Sequence, residues 1–465
     1  MESTTICAVS TAPGVGGIAI VRVSGSKAFA ICERIFKPAA KGITVTSMPA
    51  NSVRFGQIVS ADGSMLDEVV LTKFNAPHSF TGEDVVEIAC HGSIYIQQEL
   101  IKSLIAGGCV MAKAGEFTRR AFVNGKMDLS QAEAVADLIA SQNRAAHNLA
   151  LRQMRGGFSN ELTQLRDKLL TFTSLIELEL DFSDHEDVEF ADRTQLHALC
   201  NEIEQKLRKL ANSFAVGNAI KNGVPVAIVG ETNAGKSTLL NALVGEEKAI
   251  VSDIHGTTRD TIEDTITLDG VQFRFIDTAG LRQTVDVIES VGIERSLQAI
   301  TQAGIVLWLI DYSQDKANLP WLKQQIENHA VGKRIIVVLN KLDLLTDRQA
   351  DEAASTFADS GYKTLFISAK EHTNIDALQH TLYEAAQLPE IAAGDVIVTS
   401  LRHYEALHNA HEAIVRVQEG LNCSIPGDLL AQDLRECLGH LGEITGQITT
   451  DEVLGNIFSK FCIGK

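Results

Sequence analysis

The sequence predicts a multidomain chain in which a P-loop α/β domain interrupts a helical domain and a smaller α+β region comes first. Three observations predict this arrangement. Over 224–386, apolar strand patterns alternate with helical ones, which indicates a mostly parallel sheet with helices on both faces. Apolar residues recur at helical spacing on both sides of that region, over 128–216 and 400–458. Residues 1–123 carry short apolar strands separated by glycine and proline.

Length and composition limit the function classes. A chain of 465 residues should hold roughly three domains. The net charge of -18 argues against a surface that grips nucleic acid throughout, although a local basic patch remains compatible with it. The eight scattered cysteines form no C-x-x-C pair, which indicates reduced thiols. Because no apolar run approaches the roughly 18 residues of a membrane span, we expect a cytoplasmic protein without a membrane segment.

The first region reads as strands followed by a helix. The predicted strands are Gly17–Val23, Val53–Val59, Glu68–Phe74 and Asp84–Ala89, and the predicted helix is Ile94–Ala106. The stretch from Gly14 to Ala19 fits G-x-G-x-x-A. A dinucleotide loop precedes a helix, whereas a strand follows here, so we reject a Rossmann site.

Two charged residues lie within apolar strands of this region. A charge embedded like Arg22 or Glu87 costs several kcal/mol unless it is paired or liganded. The two are therefore either edge-strand or mutually paired charges, or contacts to a ligand. Cys90 and His91 resemble a metal pair, but neighbours on a strand point to opposite faces. We therefore do not expect these two residues to share a metal.

The helical regions carry buried stripes. Apolar residues step by three and four at Leu196, Leu199, Ile203, Leu207 and Leu210, and again at Leu162, Leu165, Leu169, Phe172 and Ile176. Such stripes predict packing surfaces. The acidic run between them, over 181–189, favours a solvated loop over a cation site. Neither helical part makes a bundle alone, so we predict one helical domain into which the α/β domain is inserted.

A phosphate-binding loop organises the α/β domain. Gly230–Thr238 fits G-x-x-x-x-G-K-[ST] between the apolar run Val224–Val229 and the helical stretch Lys236–Leu243. The glycines let backbone N–H groups face phosphate oxygens, Lys236 reaches the β- and γ-phosphates, and the Ser237 hydroxyl ligates Mg²⁺.

Three further motifs follow strand patterns in the order that a GTPase needs. Asp277-Thr278-Ala279-Gly280 follows Val271–Ile276 and suits Mg²⁺ and the γ-phosphate. Asn340-Lys341-Leu342-Asp343 follows a second strand, and its Asp carboxylate can accept two hydrogens that guanine offers and adenine does not. Ser368-Ala369-Lys370 would supply an N–H to the guanine oxygen. The base is therefore predicted to be guanine, and the nucleotide GTP.

Several stretches together resemble one family. They are residues 14–25, PHSFTGEDVVEIACHG at 77–92, AGEFTRRAFVNGKMDLSQAEA at 114–134, the GTPase motifs and the terminal FCIGK. The chain resembles the MnmE (TrmE) family of tRNA-modification GTPases over its whole length. The resemblance implies a folate-binding, dimerising domain at 1–123, a helical domain split between 124–221 and 387–465, and a GTPase domain at 222–386. It also implies an FAD-dependent partner of the MnmG kind, which forms a heterotetramer or larger assembly.

The reaction that the resemblance implies is the addition of a carboxymethylaminomethyl or aminomethyl group to C5 of the wobble uridine of certain tRNAs. Its cofactors are GTP, Mg²⁺, K⁺ and a one-carbon tetrahydrofolate, in the methylene or formyl form. A folate-sensing regulatory GTPase and a ribosome-assembly factor remain as alternatives.

The resemblance also implies roles for individual residues. Folate binding falls on Arg22, Glu87, Lys126 and Lys465. GTP binding falls on Asn233, Ala234, Gly235, Lys236, Ser237, Thr238, Ser252, Asp253, Ile254, His255, Gly256, Thr257, Thr258, Asp277, Thr278, Ala279, Gly280, Asn340, Lys341, Asp343, Ser368, Ala369 and Lys370. Thr258 would join Ser237 as a Mg²⁺ ligand.

Hydrolysis needs a residue that orients water, and Leu281 stands where many GTPases carry glutamine. The resemblance points instead to Glu289, for which an exposed helix-start carboxylate is the other interpretation. No arginine finger is identifiable in the sequence. Oxygens of Asn233, Ser252, Ile254 and Thr257 could hold K⁺ in its place, with Arg259 and Arg282 as alternative stabilisers or solvent-facing switch residues.

Cys462, near the C-terminus, is the last candidate site residue. Lys465 reaches a folate only if the tail docks back onto the chain. Cys462 would then serve as a thiolate or proton donor beside the uridine, or have a purely structural role.

Overall fold

The computed structural model describes residues 4–60, 63–181, 192–244, 264–268, 271–276, 297–313, 318–358, 361–386, 396–423, 425–448, 451–459 and 461–464. Within these ranges, none of the helices is both long and apolar enough to cross a membrane. The chain forms two compact units. The first comprises Met1–Ala140, Ala150–Arg208 and Glu405–Lys465, and the second comprises Ser141–Leu149 and Lys209–Tyr404.

The first unit contains a seven-stranded sheet. Its strands, in chain order, are β1 (Ile6–Val9), β2 (Gly16–Ser24), β3 (Phe36–Pro38), β4 (Ser52–Val59), β5 (Met65–Phe74), β6 (Val85–Gly92) and β7 (Val110–Met111). They lie in the order β3-β4-β5-β6-β2-β1-β7, antiparallel except for the β1–β7 pair. The four strands that the sequence predicts here are confirmed.

Different helices pack on the two faces of this sheet. Alternate strand residues such as Val21 and Ile88 pack against α1 (Ala28–Ile35) and α2 (Ile94–Ala106) in a buried core. On the opposite face, α3 (Glu116–Val123) places Phe117 against Ile6 and Ala8 of β1. That cover leaves the β4–β5 part of the face exposed to solvent, as Phe55 shows at 53% exposure.

Four helices follow along the chain, α4 (Leu129–Ala140), α5 (Arg144–Met154), α6 (Gly157–Asp181) and α7 (Arg193–Asn222). The predicted stripe on α7 is buried throughout, with Leu196, Ile203 and Leu207 at 0% exposure. The stripe on α6 is also buried, except that Phe172 is half-buried. The acidic run lies outside the described residues from 182 onward.

The second unit contains a six-stranded sheet with helices on both sides. Its elements are β8 (Val224–Gly230), α8 (Lys236–Val244), β9 (Asp264–Leu268), β10 (Val271–Ile276), β11 (Ile305–Asp311), α9 (Leu319–His329), β12 (Arg334–Asn340), α10 (Asp347–Ala358), β13 (Lys363–Phe366) and α11 (Ile375–Ala385). The order is β13-β12-β11-β8-β10-β9, and every pair is parallel except β9–β10. This confirms the predicted α/β class and the antiparallel hairpin.

The chain ends in helices of the first unit and a short tail. The helices are α12 (Leu401–Asn422), α13 (Gly427–Thr445) and α14 (Asp451–Ser459), and α13 packs along α6. Helical segments from before and after the α/β region thus lie together. The predicted domain boundaries at 123, 221 and 386 stay a prediction.

Candidate functional site

The loop after β8 has the backbone of a phosphate cradle. Gly235 has φ +97°, and a Cβ there would overlap the Asn340 side-chain amide. A Cβ on Gly230 would likewise overlap the Leu309 carbonyl oxygen of β11. Asn233 takes the left-handed region with φ 67°, which asparagine tolerates better than most residues. These three positions explain why the loop needs glycine, glycine and asparagine.

The polar groups of this loop suit a nucleotide triphosphate. The Lys236 ammonium donates to the carbonyl oxygens of Gly230, at 3.2 Å, and Glu231, at 3.0 Å, which holds its charge across the loop. Ser237 is exposed in the first turn of α8, where the helix N-terminus adds positive potential. The donor set of backbone N–H groups, ammonium and hydroxyl fits phosphate oxygens and Mg²⁺. Bound there, Mg²⁺ would neutralise phosphate charge, with Ser237 as its ligand from this loop.

Asn340 joins the phosphate loop to the two loops that would hold the base. Its amide nitrogen donates to the Ala234 carbonyl oxygen at 2.9 Å, and its amide oxygen accepts the Ala369 N–H at 3.0 Å. The side chain is 2% exposed, so these bonds form away from water, where an unmade bond would be costly. Of the N–H groups in the Ser368-Ala369-Lys370 motif, which the sequence predicts to contact the guanine oxygen, that of Ala369 therefore already has an acceptor in this structure.

Asp343 and Lys341 are each oriented by a neighbour. The Ser368 hydroxyl donates to Asp343 Oδ1 at 2.6 Å, while the carboxylate stays exposed. Lys341 has φ 63°, and its ammonium lies 2.6 Å from the buried carboxylate of Asp311. Burial raises the pKa of Asp311, but hydrogen bonds from Lys341 and Ser313 outweigh it and the pKa is lowered. Asp311 is therefore a stable anionic partner for Lys341.

Other candidates in the α/β domain lie outside the described residues. They are Ser252, Asp253, Ile254, His255, Gly256, Thr257, Thr258, Arg259, Asp277, Thr278, Ala279, Gly280, Arg282 and Glu289. The second Mg²⁺ ligand, three of the four K⁺ ligands and the water-orienting carboxylate thus remain predictions from sequence.

In the first unit, Arg22 and Glu87 are directly paired. They sit opposite each other on β2 and β6, and Arg22 donates through Nε at 2.9 Å and Nη2 at 2.8 Å to Glu87 Oε1. The guanidinium also lies 5.4 Å from the Phe80 ring centre and 5.5 Å from that of Phe117. The pairing accounts for two charges in apolar strands. Both side chains keep partial exposure, 19% and 26%, so they remain reachable by a ligand.

Residues that the sequence did not single out build the wall beside this pair. The Ser24 hydroxyl donates to Glu83 at 2.7 Å, and Arg120 binds the same carboxylate at 3.1 Å. Lys126, a predicted folate residue, donates to the Pro77 carbonyl oxygen at 2.9 Å. The loop over 77–83 therefore places the Phe80 ring beside Arg22 and provides, at Pro77, the carbonyl oxygen that holds Lys126. The feature of the sequence that could have identified this loop is the run of mostly polar residues after Pro77.

The C-terminal tail docks onto the first unit, as Lys465 would require. Ile463 forms an isolated antiparallel β-bridge with Ala114. The Gly464 carbonyl oxygen accepts a hydrogen bond from the Ser10 hydroxyl at 3.0 Å. Gly464 has φ +94°, and a Cβ there would overlap the Val9 carbonyl oxygen. Ala8, the neighbour of Val9, is the register partner of Arg22. The exposed Cys462 accepts the Gly115 N–H through its carbonyl oxygen, and Lys465 lies outside the described residues.

Cys90 and His91 point to opposite faces of β6, as predicted. Cys90 is 3% exposed and burial raises the pKa of its thiol to about 11, whereas the His91 side chain is 69% exposed. The His91 Nδ1 lies 2.7 Å from an Asp67 carboxylate oxygen. Across the residues that the structure describes, no three His, Cys, Asp or Glu side chains form a metal-binding group.

Comparisons with known proteins cover the whole chain. Two family models match, one described as the MnmE helical domain over residues 129–462 and one as the GTP-binding protein TrmE N-terminus over residues 5–126. Proteins called tRNA modification GTPase MnmE are 58% identical in Parabacteroides distasonis, covering 99% of this chain and 100% of that protein, and 58% identical in Bacteroides fragilis, covering 100% of both. The one from Flavobacterium johnsoniae is 51% identical and covers 99% of both.

The similarity to a solved structure extends over a smaller part of the chain. An Era variant of Aquifex aeolicus, bound to GDP and AlF4⁻, is 30% identical over 40% of this chain and 65% of that chain, with a TM-score of 0.29.

Proposed function

The chain belongs to the MnmE (TrmE) family of tRNA modification GTPases, and we propose that it uses GTP hydrolysis to drive modification at C5 of the wobble uridine of certain tRNAs. The group added is carboxymethylaminomethyl or aminomethyl, and an FAD-dependent partner of the MnmG kind shares the reaction in a heterotetramer or larger complex. We place the protein in the cytoplasm.

The linkage through Asn340 is the observation that carries the GTPase part of this proposal. One buried amide fixes the phosphate loop at Ala234 and the base loop at Ala369, so the two halves of a nucleotide would be held in one geometry. Ser368 orients the Asp343 carboxylate for the donor edge of guanine. In our proposal Thr258 completes the Mg²⁺ shell and Glu289 orients the attacking water.

The corner around Arg22 supports binding of a one-carbon tetrahydrofolate. Arg22 and Glu87 together offer donors for carboxylates and an acceptor for the pterin N–H edge. The exposed ring of Phe80 adds an aromatic surface, and Lys126 is anchored to the same loop. We propose that Lys465 completes this site from the docked tail.

A second copy of the chain is the proposed occupant of the open sheet face. Phe55 and Val70 are register partners on β4 and β5, with 53% and 39% of their surfaces exposed. Val53, on the same face as Phe55, is 50% exposed. Adjacent apolar side chains on a sheet favour burial against a partner, which supports the homodimer.

Nucleoside analysis of tRNA tests the proposed function. A strain that lacks the gene should lose the modified wobble uridine, and the wild-type gene should restore it. Arg22→Gln should restore less than about a tenth of the wild-type level, because the positive charge and the several N–H donors of the guanidinium are lost. Lys102→Gln removes a cation from an exposed ion pair of the same unit and should restore it fully.

The outcomes separate the two parts of this proposal. Normal modified uridine in the deletion strain would contradict the modification activity and favour a regulatory or ribosome-assembly GTPase. Full restoration by Arg22→Gln would contradict only the folate site.

Potassium dependence follows from Asn233 and the missing glutamine. With sodium in place of potassium, GTP turnover should fall at least about tenfold while nucleotide affinity changes little. The reason is that a cation at the β- and γ-phosphates replaces an arginine finger, which is worth on the order of 10³ to 10⁵ in rate. Turnover measured in both salts, alongside nucleotide affinity, checks this expectation.

Variants of Asn233 separate side-chain chemistry from backbone strain. Asn233→Ala should reproduce the sodium rate in potassium buffer, but its φ of 67° adds strain. Asn233→Gly accepts that φ freely and should show the same loss, while Thr232→Ala, at the exposed neighbouring position, should not. Equal turnover in the two salts, or a potassium response that survives in both Asn233 variants, would rule out this cation site.

A further inference from the structure

Two residues that each carry a buried, unpartnered polar atom line a small cavity beside the phosphate loop. The cavity has a volume of about 10 Å³. Its lining is Glu231, Trp308, Leu309, Ile310, Asp311, Leu319 and Leu322. Among the described residues, neither Trp308 Nε1 nor Glu231 Oε1 has a hydrogen-bond partner, although both atoms are buried. Buried polar groups are nearly always paired, so these two atoms require an explanation.

The position of the cavity connects it to nucleotide binding. Glu231 directly follows Gly230 in the phosphate loop, and its carbonyl oxygen accepts a hydrogen bond from Lys236. Trp308 lies on β11 opposite Val229 of β8. Asp311, at the end of β11, holds the Lys341 ammonium. The cavity thus lies between the loop that positions Lys236 and the strand that positions Lys341.

The chemistry of the two atoms specifies what fits between them. The indole N–H only donates, and an ionised carboxylate only accepts. One water molecule satisfies both, since it accepts from the indole and donates to the carboxylate. A site for one water needs roughly 10–15 Å³ and two to four polar partners, and this cavity meets both conditions.

We propose that a single structural water in this cavity bridges Trp308 Nε1 and Glu231 Oε1 and thereby fixes the phosphate loop to β11. Trp308 and Glu231 are then positioning residues for Lys236, because they act on it through the loop backbone. Loss of either partner leaves a buried polar atom unsatisfied and loosens the loop, so bound GDP leaves faster.

Release of a fluorescent GDP analogue from the full-length protein measures this effect. Trp308→Phe keeps the aromatic contact with Phe357 but removes the N–H, and Glu231→Leu removes the acceptor. Each should speed release about threefold to tenfold, and the double variant should be no faster than the faster single variant. Glu231→Gln keeps an acceptor oxygen and should release GDP at the wild-type rate. Rate increases that multiply in the double variant would overturn the proposal.

A direct observation of the water does not depend on those variants. The chain has two tryptophans, so Trp321→Phe leaves Trp308 as the only indole and should not change GDP release. In that protein, labelled with ¹⁵N-tryptophan, the indole N–H should show a through-space magnetisation transfer from a long-lived water molecule. An indole signal without such transfer would refute the bound water, and GDP release by Trp321→Phe at the Trp308→Phe rate would refute the special role of Trp308.

Discussion

Deletion of residues 461–465 should abolish modification of the wobble uridine while GTP hydrolysis continues at the wild-type rate. The tail is held by a backbone bridge from Ile463 to Ala114 and by the Ser10 hydroxyl, which donates to the Gly464 carbonyl oxygen, next to the strand that carries Arg22. The described contacts of the tail are with Ser10, Ala114 and Gly115 of the first unit, so hydrolysis should not depend on it. Nucleoside analysis in a deletion strain and GTP turnover of the purified variant measure the two activities.

A single substitution tests docking without removing the tail. Gly464→Ala would overlap the Val9 carbonyl oxygen and strain a φ of +94°, so it should undock the tail and lose modification as the deletion does. Gly455→Ala, on the exposed side of α14 with open space around it, is the matched control and should be neutral. Normal modification in both the truncated protein and Gly464→Ala would show that the tail has no function.

The thiol needs its own variant. Cys462→Ser preserves the backbone contact in which the Cys462 carbonyl oxygen accepts the Gly115 N–H at 3.4 Å. Loss of modification in this variant would assign chemistry to the thiol, and normal modification would leave only the docking role.

The elements that the sequence predicted correctly are those with strong periodicity or a motif. β10 and α2 match to the residue, because an apolar run with clear ends sets each one. The sequence missed β1, β3 and β7, which are two to four residues long and depend on pairing with distant strands. It also missed α1, an eight-residue helix held by packing on the sheet.

The same distinction holds for the candidate site. Lys236, Asp343 and Arg22 could be predicted because a motif or an embedded charge marks each of them. Phe80 and Asp311 could not, because their roles come from tertiary neighbours, Arg22 and Lys341, that lie far away in sequence. Tail docking was predicted only as a condition for Lys465 to work, and the contacts of Ile463 and Gly464 supply the geometry.

Asp343→Asn should change the nucleotide preference from GTP to xanthosine triphosphate. The carboxylate accepts from the N1–H and 2-amino group of guanine, and asparagine turns an N–H toward that amino group. Losing two charge-assisted hydrogen bonds, at about 1.5–3 kcal/mol each, lowers GTP affinity by roughly 10²- to 10⁴-fold. Xanthine carries an oxygen at C2, which accepts from the new amide, so binding should return with that base.

The local structure favours a clean exchange of specificity. The Ser368 hydroxyl, which donates to Asp343 Oδ1 at 2.6 Å, can donate equally to the amide oxygen of asparagine, so the loop should keep its geometry. Asn340 and Lys341 retain their own partners at Ala234 and Asp311. Asp351→Asn, an exposed position on α10, makes the same charge change outside the site and should keep the preference for GTP. Turnover measured with GTP and with xanthosine triphosphate tests this prediction. An Asp343→Asn protein that still prefers GTP would mean that another group recognises the base.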